Sequence, residues 1–276
     1  MPQHVEFRYC ALTDKGMVRA QNEDALAVLP EIGVAILADG MGGYRAGEVA
    51  SRIAVETCSA DLQQGLHAFD WDSSAERSVE RSERLAEMVT DAIGHANATI
   101  FDTARNQTEC AGMGTTLVVT LLHHDKLIVA HIGDSRAYRL RAGQLEQITR
   151  DHSQVQDQVD AGLLSPQQAR VASNRNLVTR ALGIERSVQV ELNRLTTKPA
   201  DLYLLCSDGL SDMVEDTEIA EVLSASGNDL ERAGSDLVAR ANALGGIDNI
   251  SVVLLRIDAV AGENPGLLGR MLDWVR

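Results

Sequence analysis

The sequence has few aromatic side chains: Phe, Tyr and Trp make up 3% of its 276 residues. A core must therefore be filled by Val, Leu, Ile and Ala, for which the 45% hydrophobic content is ample. Cysteine is also sparse. Cys10, Cys58, Cys110 and Cys206 are scattered with no CxxC spacing, which excludes a zinc ribbon and a disulfide framework. Positive charge is in deficit, with 25 Lys and Arg against 40 Asp and Glu and a net charge of −15. Nucleic acid is therefore excluded as a main partner, because a phosphate backbone needs clustered cations. No apolar run approaches the roughly 18 residues of a membrane span, so no transmembrane segment is expected. The start, Met1 to Glu6, shows neither a basic n-region nor an apolar h-region, so no signal peptide is expected. No internal repeat and no linker stand out. The expectation is a cytoplasmic protein with one domain core.

What is present is a recurring pattern: an apolar run next to an aspartate. Gly33 to Ala38 reads as a short buried strand, and Asp39-Gly40-Met41-Gly42-Gly43 follows it. Three glycines in four residues allow a tight turn or a close backbone approach to a ligand. Asp24 precedes the run Ala25 to Leu29, Asp134 follows Lys126 to Ile132, Asp208 follows Leu202 to Cys206, and Asp248 precedes Ile250 to Ile257.

Between these runs the texture alternates. Residues 5–12 read as a strand. Ala46 to Leu66 and Leu85 to Ile100 carry apolar residues at helical spacing, with 70–84 as a surface loop or the solvated start of the second helix. Thr115–Leu122, Lys126–Ile132, Arg136–Arg141 and Gln144–Ile148 read as an antiparallel meander. Residues 151–183 are polar and helix-prone, with Pro166 at a helix start, and form an excursion from the core. A strand at 188–192 and helices at about 216–225 and 228–243 follow. The tail beyond residue 258 carries Leu267, Leu268, Met271, Leu272 and Val275 on one possible helical face. Docking on its own domain is the plainer reading of that face; contact with a partner or a membrane is the other.

If the strands share two packed sheets, Asp24, Asp39, Asp134, Asp208 and Asp248 can meet at one edge. Carboxylates so placed repel one another unless a cation neutralises them. The ligand atoms are all oxygen, which suits Mg²⁺ or Mn²⁺ and not Zn²⁺. Two such ions return +4 against about −5 and admit a phosphate, with Arg19 as a forked clamp. A two-metal site of this kind can ionise a bridging water near neutrality for in-line attack on phosphorus. Strand-end aspartates also serve simply as caps and turn residues, and the pattern alone leaves both readings standing.

Six motifs in order go further: Gly16-Met17-Val18-Arg19-Ala20-Gln21-Asn22-Glu23-Asp24, Asp39-Gly40-Met41-Gly42-Gly43, Gly112-Met113-Gly114-Thr115-Thr116, Gly133-Asp134-Ser135-Arg136, Ser207-Asp208-Gly209 and Asp248-Asn249. Together, over about residues 8–257, they resemble the bacterial metal-dependent (type 2C, PPM) protein serine/threonine phosphatases. The resemblance implies an α+β fold, an α-β-β-α sandwich of two antiparallel sheets flanked by helices. A catalytic domain over 1–258 would carry a helical flap at about 151–183 and be followed by a short tail, 259–276. It implies that Asp39 bridges two metal ions, Mn²⁺ or Mg²⁺, whose shells the Gly40 carbonyl, Asp208 and Asp248 complete. Asp24 would hold metal-bound water, Arg19 would grip the phosphate, and Asp134 with Asp208 would take a third ion. The implied partners are phosphorylated proteins and a cognate Ser/Thr kinase, with the chain itself a monomer.

The sequence departs from that family where many members carry a histidine in or just after the Asp-Gly-x-Gly-Gly turn. Here Met41 and Tyr44 stand there, so the expected proton donor to the leaving alkoxide is a metal-bound water. His152 is a distant candidate, read instead as a solvated loop side chain. A catalytically silent sensor on the same fold is the alternative from another class, but such domains usually lose a ligand and all five acids are present. A metal-dependent phosphodiesterase or nuclease is disfavoured by the charge.

Overall fold

The structure, a computed structural model, describes residues 5–43, 46–69 and 78–260. Its strands are β1 (Val5–Asp14), β2 (Asp24–Leu29), β3 (Val34–Met41), β4 (Gly114–Thr115), β5 (Leu117–His123), β6 (Lys126–Ile132), β7 (Arg136–Arg141), β8 (Gln144–Gln147), β9 (Glu191–Thr196), β10 (Leu202–Cys206) and β11 (Ile250–Val260). Its α-helices are α1 (Ala46–Ala68), α2 (Ser78–Asn106), α3 (Gln154–Asp160), α4 (Pro166–Arg170), α5 (Asp208–Ser211), α6 (Asp216–Ala225) and α7 (Leu230–Ala243).

The strands form two antiparallel sheets, ordered β1-β11-β10-β7-β8 and β2-β3-β5-β6-β9, with β4 beside β3. Period-two alternation explains how they stack. Val34, Ile36 and Ala38 of β3 face α1 and α2, while Ala35 and Leu37 face the other sheet. On β10, Leu202, Leu204 and Cys206 face the layer of α5 to α7, and Tyr203 and Leu205 point between the sheets. Central strands are covered on both faces and so read as unbroken apolar runs. The edge strands β8 and β9 alternate between part-buried and exposed residues. The result is helices, sheet, sheet, helices, with aliphatic side chains filling all three interfaces and, among the described residues, Tyr138 and Tyr203 as the largest fully buried side chains.

Two readings of local structure change. The four strands from β5 to β8 are two hairpins in different sheets, because β6 pairs with β9 and β7 with β10. Gly133-Asp134-Ser135 is the crossing between sheets, which a meander would not place there. The strand expected at 188–192 lies at Glu191–Thr196. The start of α2 at Ser78 makes the end of the 70–84 segment helical. Pro166 opens α4 behind a capping box of Ser165 and Gln168. The tail beyond residue 260 and Tyr44 lie outside the described residues.

This topology gathers the aspartates. The register pairs Asp24 with Asp39, Leu37 with Val118, Leu117 with Ile132, Arg136 with Cys206, and Asp14 with Ile250. The start of β2, the end of β3, the β6–β7 crossing, the end of β10 and the start of β11 therefore all lie at one end of the sandwich.

Candidate active site

Strand β3 runs past its apolar run through Asp39 to Met41, and β4 pairs with that extension at Gly40 and Met41. Asp39 is therefore held in sheet, not in a loop. Its N–H donates to Thr116 Oγ1 (3.1 Å), and its carbonyl accepts from the Thr116 N–H (2.9 Å) and from Thr115 Oγ1 (2.8 Å). Gly40 is required for close approach: a Cβ there would lie 2.1 Å from the Gly47 carbonyl oxygen and 2.6 Å from that of Glu23. The N-terminal turn of α1 thus packs directly on the backbone beside Asp39, and any larger residue would push the two apart.

The Asp24 carboxylate accepts a hydrogen bond from Ser207 Oγ (2.8 Å), but its Oδ1 is buried with no partner. Asp208 Oδ1 is buried and unpartnered as well. Burial, then the charges of Asp24, Asp208, Asp134 and Asp248, hold the Asp39 carboxyl well above the usual carboxylate range. Burial, then Asp134, Asp212, Asp248 and Asp24, do the same to Asp208. Burial pushes Asp24 up to about 6. Burial and the neighbouring Asp151 push Asp134 up to about 7. Five carboxylates with two orphaned oxygens are a cluster that lacks positive charge. The donors are hard and all oxygen, so the residues present fit Mg²⁺ or Mn²⁺.

Arg19 lies at the mouth of this cluster. Its Nη2 donates to Asp248 Oδ2 at 2.6 Å, and that hydrogen bond raises the guanidinium pKa further. The loop that carries Arg19 is pinned by Asn249, whose Nδ2 donates to the carbonyls of Lys15 and Gln21 (2.9 Å each) and whose Oδ1 accepts from the Glu23 N–H (2.8 Å).

The five aspartates, Gly40 and Arg19 thus stand together at one end of the sandwich. His152 does not match its reading as a solvated side chain: it is 1% exposed. Its N–H donates to the Gly133 carbonyl (2.9 Å), and its Nδ1 accepts from the Gly133 N–H (3.1 Å). That acceptor role places the ring proton on Nε2, which donates to Glu191 Oε2 (3.2 Å). His131 stacks on it at 4.7 Å, and their ring nitrogens and a Glu191 oxygen lie within 4.8 Å of one another. This is a second grouping of metal-ligand residue types. Its chemistry argues against a cation, because His152 Nε2 is protonated and Arg180 Nη1 sits 3.3 Å from it.

The sequence reading gave no role to Thr115, Thr116, Ser207 or Asn249, although each stands in a motif it singled out. Asp212 was missed altogether. Its signal is spacing: it lies four residues after Asp208, with its N–H on the Asp208 carbonyl (2.7 Å), so both share one helical turn. Asp151 was missed too; it is buried and gripped by Arg136 at 2.7–3.0 Å.

A family model described as Protein phosphatase 2C matches residues 18–242. The chain belongs to that family. It is a serine/threonine protein phosphatase of the PPM type. The chain is 36% identical over 258 residues to the serine/threonine phosphatase stp of Listeria monocytogenes, covering 92% of this chain and 96% of that one. It is 37% identical over 247 residues to the serine/threonine protein phosphatase PstP of Mycobacterium tuberculosis, and the match spans 44% of that longer protein. The crystal structure of the Mycobacterium tuberculosis enzyme superposes with a TM-score of 0.80 at 36% identity, covering 92% of this chain and 99% of that one. The PstP catalytic domain solved with two manganese ions superposes at 0.77, with 36% identity and the same coverage. Among the described residues, no helix of the phosphatase is long and apolar enough to cross a membrane.

Proposed function

We propose that this phosphatase removes phosphate from phosphoserine and phosphothreonine of proteins at the carboxylate cluster, with Mn²⁺ or Mg²⁺ held there. The observation that carries this reading is the pair of buried, unpartnered Oδ1 atoms on Asp24 and Asp208, inside a cluster that repels itself. Asp39, the Gly40 carbonyl, Asp208 and Asp248 would hold two ions. Asp134 with Asp208 would take a third. When bound, the ions supply water that ionises near neutrality and offset the negative charge that would otherwise repel a phosphate. The two manganese ions of the PstP domain support this choice of metal.

The chain's own groups bind and orient. Thr115 and Thr116 fix the backbone of Asp39, and Ser207 fixes the Asp24 carboxylate, which acts on solvent beside the ions. The Arg19 fork, held at the mouth by Asp248, binds the phosphate oxygens. His152 is no proton donor to the leaving group, since both its ring nitrogens are committed to Gly133 and Glu191. The leaving oxygen takes its proton from solvent ordered at the acids. The catalytic unit spans 1–258, and the excursion 151–183 acts as a flap beside it. All four cysteines are free, which suits the reducing cytoplasm. There the phosphatase acts as a monomer and opposes a Ser/Thr kinase.

The test is hydrolysis of a phosphothreonine peptide by wild type and Asp39→Asn, with EDTA, Mn²⁺ or Mg²⁺, and okadaic acid as a control. Turnover that needs the metal, is lost in Asp39→Asn and ignores okadaic acid is the expected result. No turnover by folded protein with either metal would favour a silent binding domain.

A further inference from the structure

We propose that Met17, Val18 and Ile247 form an apolar docking rim for a hydrophobic side chain flanking the phosphorylated residue of the substrate protein. The proposal rests on the phosphatase reading above and narrows its substrate class. Met17 is 71% exposed, Val18 67% and Ile247 40%, in a protein that buries most of its large apolar side chains. Met17 and Val18 are consecutive and both bond to Gly246, the neighbour of Ile247, so the three exposed groups are gathered rather than scattered singly, which is the pattern of a binding surface.

The rim is rigid. The N–H groups of Met17 and Val18 both donate to the Gly246 carbonyl, at 2.8 and 3.3 Å. Gly246 has φ +50°, and a Cβ on it would lie 2.9 Å from Met17 Cγ, so the two segments touch backbone to side chain. Asn249 clamps the same loop through the carbonyls of Lys15 and Gln21. A fixed backbone spares the part of the binding cost that comes from ordering a loop.

The rim is also continuous with the mouth of the site. Val18 precedes Arg19, Ile247 precedes Asp248, and Arg19 and Asp248 are joined at 2.6 Å. A substrate segment whose phosphate sits at Arg19 carries its neighbouring residues roughly 3–7 Å onward when extended. On this side of Arg19 they meet Met17, Val18 and Ile247. An apolar side chain there removes apolar surface from water on both partners, whereas a charged one gains nothing.

The experiment uses the full chain with Mn²⁺, wild type and a Met17→Ser/Val18→Ser/Ile247→Ser variant, on three substrates. These are a phosphothreonine peptide flanked by Leu and Val, one flanked by Ser, and p-nitrophenyl phosphate. Wild type should prefer the apolar peptide through a KM lower by roughly tenfold. The variant should lose that preference while keeping turnover of the Ser-flanked peptide and of p-nitrophenyl phosphate. No preference in wild type, or an unchanged preference in the variant, would overturn the proposal. Equal loss on all three substrates would mean that the side chains only support the Arg19 loop, and would overturn it too. A concentration-dependent dimer abolished in the variant, with no peptide preference, would assign the rim to a second copy of the chain. Failure of wild type on p-nitrophenyl phosphate would instead count against the phosphatase reading itself.

Discussion

Two groups of titratable side chains flank the Gly133–Asp134 peptide, and they differ in what they lack. On one side, Asp24, Asp39, Asp134, Asp208 and Asp248 share an end of the sandwich with two oxygens unpaired, and the pKa values of the first four are raised. On the other, the ring nitrogens of His131 and His152 and a Glu191 oxygen lie within 4.8 Å of one another and His131 Nδ1 is also unpartnered, but no field of like charge surrounds them, and a chain of donors and acceptors runs from the Gly133 N–H through His152 to Glu191. Both contain residue types that ligate metals. Only the first is short of positive charge. A metal site is thus recognised by unmet acceptors in a field of like charge rather than by residue type and proximity alone.

Removing one carboxylate should separate the two groups most sharply. Asp39→Asn should lower metal-dependent turnover by about a thousandfold or more, equivalent to about 4 kcal/mol of barrier. The same change should raise the melting temperature of the EDTA-treated protein at pH 8, by roughly 2–5 °C, because it deletes a buried carboxyl whose ionised form is repelled by four others. Loss of activity with a gain in metal-free stability is the signature of a cation site; a fall in both would contradict it.

The pH dependence has a definite sign. Asp24 and Asp134 have folded pKa values of about 6 and about 7, above the roughly 3.9 of an unfolded aspartate. A raised carboxylate contributes stability that is fully present below about pH 4 and is lost as pH rises through its folded value. The stabilisation by Mn²⁺ over EDTA should therefore grow as pH rises from 5 through about 7. A difference in melting temperature that is flat across this range would show that the acids are not coupled as described.

The histidine group should respond in the opposite way. His152→Ala strands the Gly133 N–H and Glu191 and should destabilise the protein by about 2 kcal/mol, with or without metal. Asn places an acceptor near the Nδ1 position, so His152→Asn should recover part of that loss. Co²⁺ added to Asp39→Asn tests the same point spectroscopically. A strong tetrahedral d–d band that disappears with His152→Ala would overturn the assignment of Nε2 as protonated.

Much of this was legible in the sequence because it is written in local patterns. Apolar runs marked β3, β5, β6, β10 and β11, since strands covered on both faces have no alternation to hide. The aspartates announced themselves by sitting at the ends of those runs. What was not legible depends on pairing. The crossing at Gly133-Asp134-Ser135 looks like a hairpin turn until β9 and β10 are seen to take the partners of β6 and β7. His152 looks solvated in a polar stretch because its partners, Gly133 and Glu191, are 19 and 39 residues away. Arg19 reads as a phosphate clamp from its motif, but nothing local foretells its ion pair with Asp248.

The smallest expected effect concerns the segment that lies between the two groups. Residues 151–183 start at Asp151 and His152 and return to the core where Leu182 and Thr115 exchange backbone hydrogen bonds (3.2 and 2.9 Å). On the way, Arg175 Nε reaches Asp212 Oδ2 at 3.3 Å and Arg170 Nε reaches Glu215 at 3.0 Å. Both arginines are about one-third exposed, so water and salt screen these pairs and each contributes about 0.5 kcal/mol. Arg175→Gln should therefore leave the melting temperature within about 1–2 °C of wild type. Asp212 also raises the pKa of Asp208 and Asp134, so freeing it from Arg175 adds negative charge where Asp134 and Asp208 would take a third ion. The expected readout is a roughly twofold tighter Mn²⁺ dependence at low salt, about 0.4 kcal/mol, which disappears at 1 M salt where the screening length falls to about 3 Å. A change that survives high salt would mean that Arg175 acts by holding the shape of the segment, not by its charge.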